Sequence, residues 1–193
     1  MTEHLFSLIP FETSNSPAIT IAGRISRQNN LLALHYSLTG DVDCIMLPPP
    51  AMKPSRRHEL WKATCFEFFL ARKDQPQYWE VNLSPSGDWN MYQMDAYRRI
   101  GFREESRIQQ LQVQARKENE RFTLDTAADL NPIFSQDEPV EASITAIIQS
   151  INGTETYWAL THTGPQADFH LRQSFILELA GQTHPSNQPA PGD

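Results

Sequence analysis

Apolar and polar residues alternate along most of this chain with a period of two, the spacing of strands that bury one face. In the run from Leu31 to Leu38, Leu32, Leu34, Tyr36 and Leu38 share one face, while Ala33, His35 and Ser37 share the other. Thr20 to Gln28 precedes it, and Asn29 and Asn30 between them tolerate the left-handed backbone of a tight hairpin turn. Further strands are predicted over Trp61 to Leu70, Gln109 to Ala115, Arg121 to Ala127, Ala142 to Gln149, Thr156 to Leu160 and Ser174 to Leu179. The proline-rich stretch "LPPPAMKPSRRHE", Leu47 to Glu59, suits neither strand nor helix and reads as a long loop. "DAYRRIGFREESR" is also read as loop, with at most a short helix. No helical heptads and no internal repeat occur. The pattern predicts an all-β fold, an antiparallel β-sandwich in one domain over residues 1–180. The polar, Pro- and Gly-rich segment 181–193 is expected to be a disordered tail.

The stretch "YWEVNLSPSGDWNMYQ", Tyr78 to Gln93, is the most informative. Pro85 and Gly87 take the second and fourth places of a type I turn, which fits a three-residue loop with a bulge at glycine. That loop pairs Ser84 with Asp88, Leu83 with Trp89, Asn82 with Asn90, Val81 with Met91 and Glu80 with Tyr92. One face is then Trp79, Val81, Leu83, Trp89 and Met91, wholly apolar. The other is Tyr78, Glu80, Asn82, Asn90, Tyr92 and Met94. A two-residue loop would slip the register and mix the sets. In Trp61 to Leu70, Thr64, Phe66, Phe68 and Leu70 share a face and Glu67 lies opposite. If the two strands are neighbours, Glu67, Glu80, Asn82, Asn90 and Tyr92 form one polar patch with an aromatic platform. Such a patch suits the hydroxyls and C–H faces of a sugar, and it equally suits a sheet face that merely meets water.

Bulk properties narrow the classes. The chain has 193 residues, enough for one well-packed core. Its formal net charge of -7 opposes nucleic-acid and anionic-membrane partners, which need a basic face. No apolar run is long enough to span a bilayer. The start, "MTEHLFSLIPFE", lacks the basic and apolar regions of a secretory leader. Cys44 and Cys65 are the only cysteines and show no metal-type spacing, so the expectation is reduced thiols in a cytoplasmic protein.

Other constellations give less. Glu67 and Glu80 raise a glycosidase reading, since such enzymes flank the scissile bond with two carboxyls, but no further group completes a catalytic set. His162, Asp168 and His170 match no standard metal spacing. Arg56 or Arg57, carried by the proline-rich loop just before Trp61, could act as a lid over the patch.

"LWKATCFEFFLA", "YWEVNLSPSGDWNMYQMDAYR" and "DFHLRQSFILEL", in that order, resemble the DOMON-like proteins related to family 9 carbohydrate-binding modules. The resemblance spans about Thr20 to Leu179. It implies a sandwich of immunoglobulin-like or jelly-roll appearance and a non-catalytic ligand-binding role, with sugar or haem as ligand in the wider superfamily. The matching site candidates are Trp61, Glu67, Glu80, Asn82, Tyr92 and Arg98, with His170 from the terminal segment. Haem would use methionine and histidine axial ligands, here Met91 or Met94 with His162 or His170. Structural calcium near Asp88 or Asp95 is implied by analogy. Family 9 modules are normally exported and joined to a hydrolase, whereas this chain is expected to stand alone. A small soluble sugar or another metabolite is therefore expected in place of a polysaccharide. A protein partner docked on the same sheet face is the remaining alternative.

Overall fold

The structure is a computed structural model that describes residues 2–98 and 102–182. Twelve strands form one continuous antiparallel sheet that curls upon itself, with helix limited to three short 3₁₀ turns among the described residues. In chain order the strands are β1 (Thr2–Pro10), β2 (Ile19–Gln28), β3 (Leu31–Gly40), β4 (Cys65–Arg72), β5 (Tyr78–Leu83) and β6 (Trp89–Met94). They continue as β7 (Arg103–Glu104), β8 (Gln112–Glu118), β9 (Arg121–Asp129), β10 (Val140–Gln149), β11 (Glu155–Ala159) and β12 (Leu177–Leu179). The spatial order is β7-β6-β5-β4-β10-β11-β1-β2-β3-β9-β8, with β12 sharing the β11 side of β10. β1 makes the corner: Thr2 to Leu8 pair with β2, whereas Ile9 and Pro10 pair with β11.

The two arms close over one apolar core. Phe66 of β4 stacks on Phe122 of β9 at 5.6 Å, and the Tyr36 hydroxyl of β3 donates to the Glu67 carbonyl at 2.7 Å. Leu32, Leu34, Tyr36 and Leu38 are all buried in this core, as their alternation requires. Asn29 and Asn30 take positive φ in the β2–β3 turn.

The β5–β6 hairpin has the register that the segregation of its faces demands. Ser84 N donates to Asp88 O at 2.9 Å and Gly87, at φ 93°, closes the turn onto Ser84 O. Glu80 faces Tyr92, Asn82 faces Asn90, and Trp79, Val81, Leu83, Trp89 and Met91 enter the core. β4 is the neighbour of β5, with Glu67 opposite Asn82.

Several expectations need correction. Residues Leu60–Lys62 form a 3₁₀ turn and the strand begins only at Cys65, because Glu59 adopts a left-handed backbone (φ 62°) and Thr64 is drawn aside to Gln149. β1 was not legible as a strand: its outer face carries Leu5 and Ile9, 79% and 52% exposed, which blurs the alternation with Phe6 and Leu8. β8 starts at Gln112, later than expected, and its turn tightens to Asn119 and Glu120 between the paired Glu118 and Arg121. The segment Ser174 to Leu179 is only partly strand, since Arg172–Ser174 is a 3₁₀ turn before β12. The expected tail lies outside the described residues beyond Gln182.

Candidate functional site

The face of β11-β10-β4-β5-β6 opposite the core is neither a wet sheet nor a flat docking surface. Antiparallel pairing aligns Ala159, Thr145, Glu67, Asn82 and Asn90 in one row across five strands. The next row runs Ser143, Phe69, Glu80, Tyr92 and Glu104. The segment after β11 folds back over these rows. Phe69, Tyr78 and Phe175 pack as a cluster of rings at 5.6–6.4 Å, joined by Phe169 and Met94. Tyr78 and Tyr92 belong to this second, smaller core, and Glu80, Asn82 and Asn90 are buried beside them, so the face is not the solvated sheet of the first expectation.

Where the cover stops, a cavity of about 500 Å³ remains. Glu67 and Glu80 line its floor, and Trp61, Tyr92, Phe102, Tyr157 and Phe169 supply five aromatic rings. Arg98 and His170 complete the polar lining. The structure thus gathers Trp61, Glu67, Glu80, Tyr92, Arg98 and His170 around one opening. Asn82 lies beneath it, donating from Nδ2 to Glu80 Oε1 at 2.8 Å. Phe102, Tyr157, Phe169 and Met94 were not singled out as site residues. Phe169 and Met94 lie inside the quoted motifs, and the signal for Tyr157 was its place opposite Trp158 on a predicted strand.

Burial governs the electrostatics. Glu67 is 2% exposed; loss of hydration and the repulsion of Glu80 hold its pKa well above the carboxylate range, partly offset by Cys65 and Thr145. Its Oε2 accepts from Thr145 at 3.4 Å, but its Oε1 has no hydrogen-bond partner among the described residues. Glu80, 7% exposed, is pushed up to about 7 by burial, against the opposing pull of Asn82 and Arg98. His170 is pushed down to about 4 by burial and by Arg98, with Asp168 opposing. Its Nδ1 meets the Tyr78 hydroxyl at 2.9 Å and its Nε2 stands 4.0 Å from Glu80 Oε2. Burial raises Tyr78 and Tyr92 to about 12, so both phenols are neutral donors near pH 7.

At the rim, Arg98 (φ 39°) turns its guanidinium onto Asp168 at 3.1 Å, and the Tyr97 hydroxyl donates to the same carboxylate at 2.5 Å. Trp61 stands edge-on to Tyr92 at 5.8 Å, and Phe102 does so at 5.0 Å from the other side.

Arg56 is not a lid. It spreads over Trp89 at 4.3 Å, donates to Asn90 Oδ1 at 2.8 Å, and reaches the carbonyls of Met91, Glu105 and Ile108, pinning the proline-rich loop along β6. Arg57 pairs with Asp88 at 3.2 Å.

The residues implied as metal and haem ligands are engaged by other groups. Asp88 is engaged by Ser55, Ser86 and Arg57, and Asp95 by Arg103 through two contacts at 2.9 and 3.0 Å. No cluster of three or more His, Cys, Asp or Glu among the described residues is arranged to hold a metal ion. His162 Nε2 meets the Ile9 carbonyl at 2.9 Å, away from His170. Met91 is in the core, and although Met94 and His170 line one cavity, both nitrogens of His170 already face Tyr78 and Glu80.

No family model matches the chain, and no curated protein matches it in sequence. Solved structures do match in shape. A protein from Bacteroides uniformis ATCC 8492, provisionally assigned as carbohydrate-binding, superposes with a TM-score of 0.69 at 12% identity, over 93% of this chain and 86% of that one. The fold is shared with it. A family 9 carbohydrate-binding module from Caldicellulosiruptor kristjanssonii, solved with cellotriose, superposes with a TM-score of 0.51 at 10% identity, over 93% and 84% of the two chains. At such identities the likeness establishes a common architecture and leaves the ligand to be argued from the site.

Proposed function

We propose that this chain is a non-catalytic carbohydrate-binding protein, a DOMON-like β-sandwich of the family 9 module type, that takes a small sugar in the cavity between Trp61 and His170. The observation that carries the reading is the joining of five aromatic rings to two buried carboxylates in one opening of about 500 Å³. Aromatic faces pack against the C–H faces of a pyranose, while buried acids and amides take its hydroxyls. Glu80 is pre-oriented by Asn82, Glu67 Oε1 has an unused acceptor position, and Arg98 stands at the rim. The architecture shared with carbohydrate-binding proteins supports the same reading.

A binding role is preferred to hydrolysis. A glycosidase flanks the scissile bond with its two carboxyls, whereas Glu67 and Glu80 are diagonal neighbours on one floor, and Glu80 is engaged by Asn82. Cytoplasmic residence is part of the proposal. It is supported by Cys44 and Cys65, which are both free thiols in the structure.

A thermal-shift screen against mono- and oligosaccharides tests this. A ligand at a hundredfold excess over its Kd stabilises the fold by about 2.7 kcal/mol. A shift with at least one sugar, abolished in Glu80→Ala, is the expected result. A flat response over the panel with a cooperative melt would overturn the reading.

A further inference from the structure

The floor of the cavity carries more acidic groups than a neutral sugar needs. Two carboxyl groups sit on adjacent strands, and the charge nearest Glu80, that of Arg98, acts on it without an ion-pair contact. Glu67 is met by Thr145 and by the Cys65 thiol, and burial holds it well above the carboxylate range. Glu80 has an amide on one oxygen and an imidazole 4.0 Å from the other. From β4, the Cys65 thiol is held neutral by burial. From β3 and β5, the Tyr36 and Tyr78 phenols are neutral, as are Tyr92 from β6 and Tyr157 from β11. His170 is neutral near pH 7, and Arg98 is paired with Asp168 at the rim while its charge still reaches Glu80. The Oε2 of Glu80, with only that imidazole near it, is left for a donor from outside. Around it stand Trp61, Tyr92, Phe102, Tyr157 and Phe169, whose ring faces attract a cation.

We infer that the cavity selects a sugar bearing a protonated primary amine, the ammonium donating to Glu80 within the aromatic wall. This rests on the sugar-binding reading and names its substrate class. An ammonium supplies three donors and one positive charge beside Glu80 Oε2, and its charge favours the ionised form of that carboxyl. The N-acetylated form of the same ring would lose both the charge and two donors.

Titration calorimetry of the whole chain with D-glucosamine, N-acetyl-D-glucosamine and D-glucose near neutral pH tests the inference. The expected result is glucosamine bound about tenfold or more tightly than glucose, with the acetylated sugar weaker than glucosamine. The preference should collapse in Glu80→Gln and at about pH 5, where Glu80 is protonated and the ammonium meets no charge. Glucose bound as well as glucosamine would overturn the inference and leave sugar binding standing. A preference unmoved by Glu80→Gln would overturn it as well, and binding of none of the three would count against both readings. The wild-type comparison needs no variant to fold.

Discussion

The Tyr78 hydroxyl, on the first strand of the central hairpin, lies 2.9 Å from Nδ1 of His170, ninety-two residues further along the chain. This contact fastens the late loop to the sheet and makes a cavity of what would otherwise be an open face. The other ring nitrogen, Nε2, stands 4.0 Å from Glu80 Oε2. Tyr78→Phe keeps the ring packing against Phe69 and Phe175 and removes only this bond. Urea unfolding should show a loss of about 1 kcal/mol, the net value of one hydrogen bond. Sugar affinity should fall with it, because Phe169 and His170 are no longer held in place.

The pH dependence of stability follows from opposed shifts. Glu80 titrates at about 7 folded against about 4.5 unfolded, so the folded state binds the extra proton between those values. Its stabilisation is complete below the unfolded pKa and is lost as pH rises through about 7. Glu67, also raised, acts in the same sense. His170, lowered to about 4 from 6.5, acts oppositely, gaining stability as pH rises between those values. Above about 6.5 only the glutamates remain in play, so the melting temperature should fall from there towards alkaline pH. Glu80→Gln should flatten that limb. A melting temperature that rises over the same range would contradict the assignment.

Arg56 is predicted to hold the proline-rich loop in place. It joins Asn90, three carbonyls and the Trp89 ring to a segment that has no strand of its own. Arg56→Ala should expose residues 47–59 to limited proteolysis under conditions where the wild type resists. Protection equal to wild type would show that the prolines alone fix the loop.

Gly87 is predicted to tolerate no side chain. Its φ of 93° is strained for any L-residue, and an added Cβ would come within 2.9 Å of Pro54. Gly87→Ala should cost about 1–2 kcal/mol in denaturant unfolding from the backbone alone. The loss should be larger if Pro54 cannot give way.

Much of the floor was legible in the sequence because strand chemistry is periodic. The split of Trp79, Val81, Leu83, Trp89 and Met91 from Glu80, Asn82, Asn90 and Tyr92 admits a single register, and Pro85 and Gly87 fix the loop that enforces it. The position of Glu67 opposite Phe66 and Phe68 likewise follows from alternation. What closes the site does not follow from alternation. Phe169, His170 and Phe175 lie in irregular chain after β11; His170 and Phe175 pack on Phe69 and Tyr78 a hundred or so residues earlier, and Phe169 on Tyr157 of β11. Hence a face that looked polar in sequence lies under a second apolar cluster. Trp61 was assigned to the strand but is held in a 3₁₀ turn, which sets it beside Tyr92 at the rim.

The most direct test of the sugar site is the indole region of a nitrogen–proton correlation spectrum during titration with sugars of the thermal-shift panel. The chain has four tryptophans, and their environments differ. Trp61 lines the cavity, Trp79 donates to Glu105 at 2.9 Å, Trp158 donates to Thr156 at 3.0 Å, and Trp89 lies under Arg56. The account predicts that a binding sugar moves the Trp61 indole signal saturably and leaves those of Trp79 and Trp158 in place. A saturable shift at Trp79 or Trp158 with Trp61 unmoved would contradict it.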